Sequence, residues 1–166
     1  MISNELFRRL TIVVVAILFF SVPATVQAQS PPNIRINNYL TSDKVKKGRS
    51  VQGVVEIDIP SGFHIHSNRP LEKFLIATQL TIDTPSGLRV SRVSYPRALL
   101  KNLKFSKNRV AVFEGRIALR FTVTVPTTYN GDSVDLKGKL RYQSCNDELC
   151  FRPENRDFNF SLKVAN

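Results

Sequence analysis

Tryptophan is absent from this 166-residue chain, cysteine and histidine occur twice each, and methionine occurs once. Without tryptophan, the buried Trp that packs on an inter-sheet disulfide in antibody domains is excluded. The two cysteines, Cys145 and Cys150, also lie too close in sequence to join two sheets across a long gap. His64 and His66 are only half a metal site, and with no third histidine a thiol of Cys145 or Cys150 would have to complete it. Beyond residue 28 no stretch is apolar enough to span a bilayer, and no long segment carries the period of an amphipathic helix. Internal repeats and low-complexity runs are lacking too. Lys and Arg total 24 against 13 Asp and Glu, a net charge of +11. With no nucleic-acid-binding motif and an export signal ahead of the domain, that charge reads as solvated surface and not as a nucleic-acid interface.

The export signal is the first thing present. Arg8 and Arg9 precede an apolar run over residues 11–22, and Val26-Gln27-Ala28 sets small residues where a signal peptidase cuts. The run is shorter than the roughly 20 residues a membrane span needs. No cysteine follows it to carry a lipid anchor. Residues 1–28 are therefore expected to be a cleaved signal peptide. Residues 29–166 are expected to form one soluble domain, large enough for a real core. Outside the cytoplasm, two cysteines are expected to pair.

Short apolar alternations then follow one another. Residues 51–59 alternate at Val51, Val55, Ile57 and Ile59, with Gly53 expected to mark a bulge. Pro60-Ser61-Gly62 is a turn, and residues 63–66 (FHIH) a strand with both histidines on one face. Residues 79–84 and 88–95 alternate again, whereas 96–108 lose the period and predict a helical turn or irregular loop that carries Phe105 among lysines. Two strand pieces around Glu114-Gly115, an Asn130-Gly131 hairpin signal, and strands over 134–142 and 158–164 complete the chain. Roughly eight or nine short strands between turns predict an all-β sandwich.

Residues 142–153 read YQSCNDELCFRP and hold both cysteines. A bridge between them would clip the two arms of one hairpin, and closing so small a loop contributes only about 2 kcal/mol. Thiol–disulfide exchange instead needs a close, attackable pair, which a hairpin tip supplies. Arg141 and Arg152 would favour a thiolate, and Asp147 and Glu148 would oppose it. The residues alone leave a structural clip and an exchange site equally open.

This stretch, together with SGFHIHSNRP at residues 61–70, resembles the N-terminal periplasmic domain of the DsbD thiol:disulfide interchange protein family. Tyr142, Gln143, Cys145, Cys150 and Pro153 match that family's Tyr-Gln-x-Cys…Cys-x-x-Pro hairpin. The resemblance covers most of residues 33–166, and its specific part is the hairpin. It implies an immunoglobulin-like β-sandwich with a redox-active cysteine hairpin, relaying electrons between thioredoxin-like redox proteins or a membrane electron carrier in the periplasm. Cys150 would then be the thiol that attacks or is attacked, and Cys145 the resolving thiol. Phe105 would be the aromatic cap over the disulfide, with His64, His66 and Tyr142 lining the site. No cofactor is implied, because the cysteines carry the two electrons themselves. The competing readings are a non-catalytic immunoglobulin-like binding module with a structural disulfide, and a periplasmic metal carrier using His64, His66 and a thiol.

Overall fold

A computed structural model describes residues 30–85 and 87–165, so the signal peptide expected over residues 1–28 lies outside the described residues. Twelve strands and no helix make up the described part: β1 Arg35–Leu40, β2 Lys44–Lys46, β3 Ser50–Asp58, β4 His64–His66, β5 Gln79–Asp83, β6 Arg89–Val90, β7 Leu99–Lys101, β8 Val110–Phe113, β9 Arg116–Thr124, β10 Ser133–Tyr142, β11 Ser144–Cys145 and β12 Glu154–Ala165. With no helix among the described residues, none is long and apolar enough to cross a membrane.

Two sheets, β1-β3-β9-β6 and β2-β12-β10-β5, form the layers of an immunoglobulin-like sandwich. Alternation builds them, most cleanly in β10. In β10, Val134, Leu136, Gly138, Leu140 and Tyr142 point inward while the residues between them face solvent. Facing strands answer in register: Leu136 opposes Phe160 of β12, and in the other sheet Val55 opposes Leu119 and Ile57 opposes Ile117. The layers meet where Phe121 of β9 packs edge-on against Phe160, ring centroids 5.4 Å apart, the T-shaped arrangement the ring quadrupole favours.

Gly53 is not a bulge. It pairs in register with Phe121 across β3 and β9, and the Phe121 ring occupies the space a side chain would fill. The Asn130-Gly131 hairpin signal is also overturned, since β9 pairs with β3 and β6 while β10 pairs with β12 and β5. The segment between β9 and β10 therefore passes from one sheet to the other. The Tyr129 ring lies over Gly131, where a Cβ would come within 2.7 Å of it. That glycine serves a close approach and not a hairpin.

A third sheet, β11-β4-β8-β7, carries the cysteines. It is fed directly by the long strands. Between β3 and β4, Pro60 to Phe63 close a turn with Phe63 N–H on the Pro60 carbonyl at 3.2 Å. Gly62 supplies the φ of +82° that such a turn demands at its third position. Gly115, at φ +62°, turns β8 back into β9, and its carbonyl accepts from Ile59 N–H. Only Gln143 separates β10 from β11. The small sheet is thus anchored to the sandwich core through short connections, which leave its residues little freedom.

Candidate functional site

Cys145 and Cys150 are disulfide-bonded and face each other as an antiparallel bridge. Between them, Asn146 N–H donates to the Leu149 carbonyl at 3.0 Å, and the Asn146 side-chain oxygen accepts from Glu148 and Leu149 N–H at 2.9 and 2.8 Å. An asparagine that caps its own turn explains why the chain reverses there. Outside the bridge, Phe151 N–H donates to the Ser144 carbonyl and Gln143 Nε2 to the Phe151 carbonyl at 2.8 Å. The result is a small closed hairpin, held on its N-terminal arm by pairing of Ser144 with Ile65 and Cys145 with His64.

The two cysteines differ in burial. Cys145 is fully buried, while Cys150 is half-buried.

β4 brings the histidines underneath. All three of its residues are buried. Ile65 belongs to the sandwich core. The side of β4 that carries the histidines is covered by the chain around Ile76 and Phe105, contacts without any sequence signature. His66 Nδ1 lies 3.2 Å from the Ile76 carbonyl, which can only accept, so Nδ1 carries the proton and donates. Nε2 therefore presents its lone pair to the sulfurs, 3.4 Å from Cys145 Sγ and 3.8 Å from Cys150 Sγ. Thr78 fixes the strand from behind, its hydroxyl donating to the His66 carbonyl at 2.6 Å.

His64 lies apart from the sulfur cluster. Its ring stacks on Phe105, centroids 6.3 Å apart and 23° between planes, and its Nε2 has no hydrogen-bond partner among the described residues. Burial, reinforced by the neighbouring His66, pushes its pKa down from 6.5 to about 4. Lys101 acts in the same direction, and Glu114 and Asp147 oppose it.

The sign for stability follows from linkage. The unfolded chain takes a proton on His64 near pH 6.5 that the folded protein refuses until about pH 4. This contribution is therefore fully present above pH 6.5 and lost as pH falls through that window. The shift corresponds to a loss on the order of 3 kcal/mol. Urea unfolding at pH 7 and pH 4.5 is expected to show the loss in the natural protein and a flatter profile in His64→Phe. Equal slopes in both proteins would remove His64 as its source.

The loop carrying Phe105 is docked on the cysteine hairpin. Lys104 N–H donates to the Asp147 carbonyl at 3.0 Å, and Lys104 Nζ pairs with Glu148 at 2.8 Å. Phe105 itself is half-buried on a small second core of Leu75, Leu103, Val110 and Val112. Part of the segment expected to be irregular is in fact β7, paired with β8. Tyr142, expected to line the site, is fully buried in the sandwich core, with its hydroxyl accepting from Arg156 at 3.5 Å. Arg141 and Arg152 are exposed, and the group set against the sulfurs is His66.

The profile of the family described as "Thiol:disulfide interchange protein DsbD, N-terminal" matches residues 37–162. The chain belongs to this family. Among solved structures, the DsbD N-terminal domain of Neisseria meningitidis in the reduced form is 18% identical, with a TM-score of 0.49, covering 77% of this chain and 85% of that one. The N-terminal periplasmic domain of ScsB from Proteus mirabilis is 13% identical with a TM-score of 0.52, covering 82% of this chain and 49% of that one. At that identity the ScsB likeness concerns the fold. No curated relative matches the chain in sequence. As a DsbD N-terminal domain, the protein carries its cysteine pair where the hairpin motif of residues 142–153 places it.

Proposed function

We propose that this DsbD-type domain is exported to the periplasm and relays electron pairs between thioredoxin-like partners through Cys145 and Cys150. The observation that carries the reading is the unequal burial of the two cysteines in one hairpin. An incoming thiolate meets Cys150 Sγ first. Attack there breaks the disulfide, forms a mixed disulfide between Cys150 and the partner, and releases Cys145 as a thiolate. The partner's second thiolate then attacks its own bridged sulfur and frees Cys150, so two electrons have entered the domain. Two protons follow, and each sulfur ends as a thiol. In the reverse direction the Cys150 thiolate attacks a partner disulfide and releases one partner thiolate, and Cys145 then attacks Cys150 Sγ, re-forming the bridge and freeing the partner as a dithiol.

His66 supports the reduced form. In the disulfide neither sulfur has a proton to donate to the Nε2 lone pair. Reduction supplies an S–H donor beside it, so a hydrogen bond is gained only when the bridge opens. A merely structural clip has no use for that arrangement.

Equilibration with glutathione or dithiothreitol redox buffers, followed by alkylation and mass measurement, tests the reading. The expected potential lies above about −300 mV, the range of exchangeable disulfides. A value well below it would return the pair to a structural role.

In the same reading Phe105 caps the approach to the disulfide. Its contact with His64 and the docking of Lys104 on the hairpin support this. Phe105→Ala is expected to speed reduction by a small thiol several-fold. It should cost less stability than the about 3–5 kcal/mol of a core phenylalanine. An unchanged reduction rate with a loss of that full size would assign Phe105 to the core alone.

A further inference from the structure

His66 Nε2, Cys145 Sγ and Cys150 Sγ all lie within 4.8 Å of one another. Tetrahedral zinc takes sulfur at about 2.3 Å and imidazole nitrogen at about 2.0–2.1 Å, so neighbouring nitrogen and sulfur ligands stand about 3.5 Å apart. The nitrogen already stands 3.4 and 3.8 Å from the two sulfurs. Nε2 holds the lone pair because Nδ1 is committed to the Ile76 carbonyl. A backbone acceptor on the far ring nitrogen is the outer-shell partner that orients a metal-bound imidazole. The disulfide form lacks thiolate and holds the two sulfurs at bonding distance, and reduction provides the thiolates and frees the sulfurs to part to the spacing of neighbouring ligands. His64 is not in the group, so the ligand set differs from the two-histidine site the sequence suggests.

We propose that the reduced protein binds one thiophilic divalent ion of the zinc type through His66 Nε2, Cys145 Sγ and Cys150 Sγ, and that oxidation expels it. The proposal rests on the exchange reading only in needing a disulfide that opens. Binding exchanges two thiol protons for the ion. When a disulfide partner oxidises the loaded site, the two thiolates give up two electrons and form the Cys145–Cys150 bond. The partner takes up those electrons with two protons and becomes a dithiol, and the ion leaves. Three protein ligands keep a fourth position open, and Cys150 is the half-buried side of the cluster. Metal and disulfide are thus mutually exclusive occupants, and the bound ion slows exchange without preventing it.

The test uses the purified protein, reduced without oxygen, with its thiols counted by alkylation before any metal is added. Cobalt(II) is titrated as the coloured probe and then displaced by zinc(II). One equivalent is expected to give thiolate-to-cobalt absorption in the reduced protein, and none in the oxidised protein. His66→Ala should weaken binding at least tenfold, whereas His64→Ala should change it less than twofold. Zinc should also slow alkylation of Cys150 in the unsubstituted protein, a readout that needs no variant to fold. Two counted thiols with no cobalt spectrum and no zinc protection would overturn the metal site and leave the exchange reading standing. Equal affinity in His66→Ala would likewise overturn it. A disulfide that resists excess reductant would sink both.

Discussion

Cys145→Ser is expected to hold a thioredoxin-like partner as a stable mixed disulfide through Cys150, while Cys150→Ser traps little or none. Both variants should lose catalytic exchange completely, because a single thiol cannot regenerate the bridge. The asymmetry follows from burial. Cys150 is half-buried and Cys145 fully buried beneath the hairpin, and exchange rates depend on which sulfur is reachable. In Cys145→Ser the reachable thiol remains and the resolving thiol is gone, so the mixed disulfide has no internal route of escape. The check is non-reducing electrophoresis and intact mass after incubation with a thioredoxin-like protein whose resolving cysteine is removed and whose remaining cysteine is activated as a thionitrobenzoate mixed disulfide, so that Cys150 displaces the aromatic thiolate. Equal trapping by both variants would contradict the assigned order of attack. Trapping by neither would remove the relay.

The largest expected loss of stability comes from a glycine distant from the cysteines. Gly53→Val would place a branched side chain where the Phe121 ring now lies. Phe121 is 2% exposed and is itself held against Phe160 of the facing sheet. Neither ring can retreat without opening the contact between layers. Overpacking a filled core costs about 1–3 kcal/mol, occasionally more, and this site belongs at the upper end. Urea unfolding is expected to show about 3 kcal/mol lost. Gly53→Val combined with Phe121→Leu should recover part of it, since the two positions share one volume. A loss below about 1 kcal/mol would show that the ring moves freely and that the inter-sheet contact is soft.

Where apolar alternation is strong, as in β3, β10 and β12, the strand is legible from residue order alone. Where pairing makes the strand, it is not. β1 (RINNYL) breaks its apolar alternation with Asn38 between Ile36 and Leu40 and forms by pairing its whole length with β3. β2 is three residues added in parallel to β12, and β7 exists because β8 offers it an edge. Asn-Gly misleads for a related reason. The dipeptide permits a tight turn but does not decide which strands its flanks will meet.

The candidate site divides along the same line. Cysteine spacing and the neighbouring FHIH strand are local in sequence, and with the family resemblance they determined the reading of a cysteine-bridged hairpin in an all-β fold. The family resemblance pointed to Cys150 as the attacked thiol, but which cysteine is the less buried, and which histidine faces the pair, were decided only by tertiary structure. His64 and His66 share a strand face. One nevertheless lies under Phe105, while the other is locked by the Ile76 carbonyl with its lone pair toward both sulfurs. Burial and hydrogen-bond direction at β4 arise from segments 10 to 84 positions away in the chain. No pattern within the strand itself can encode them.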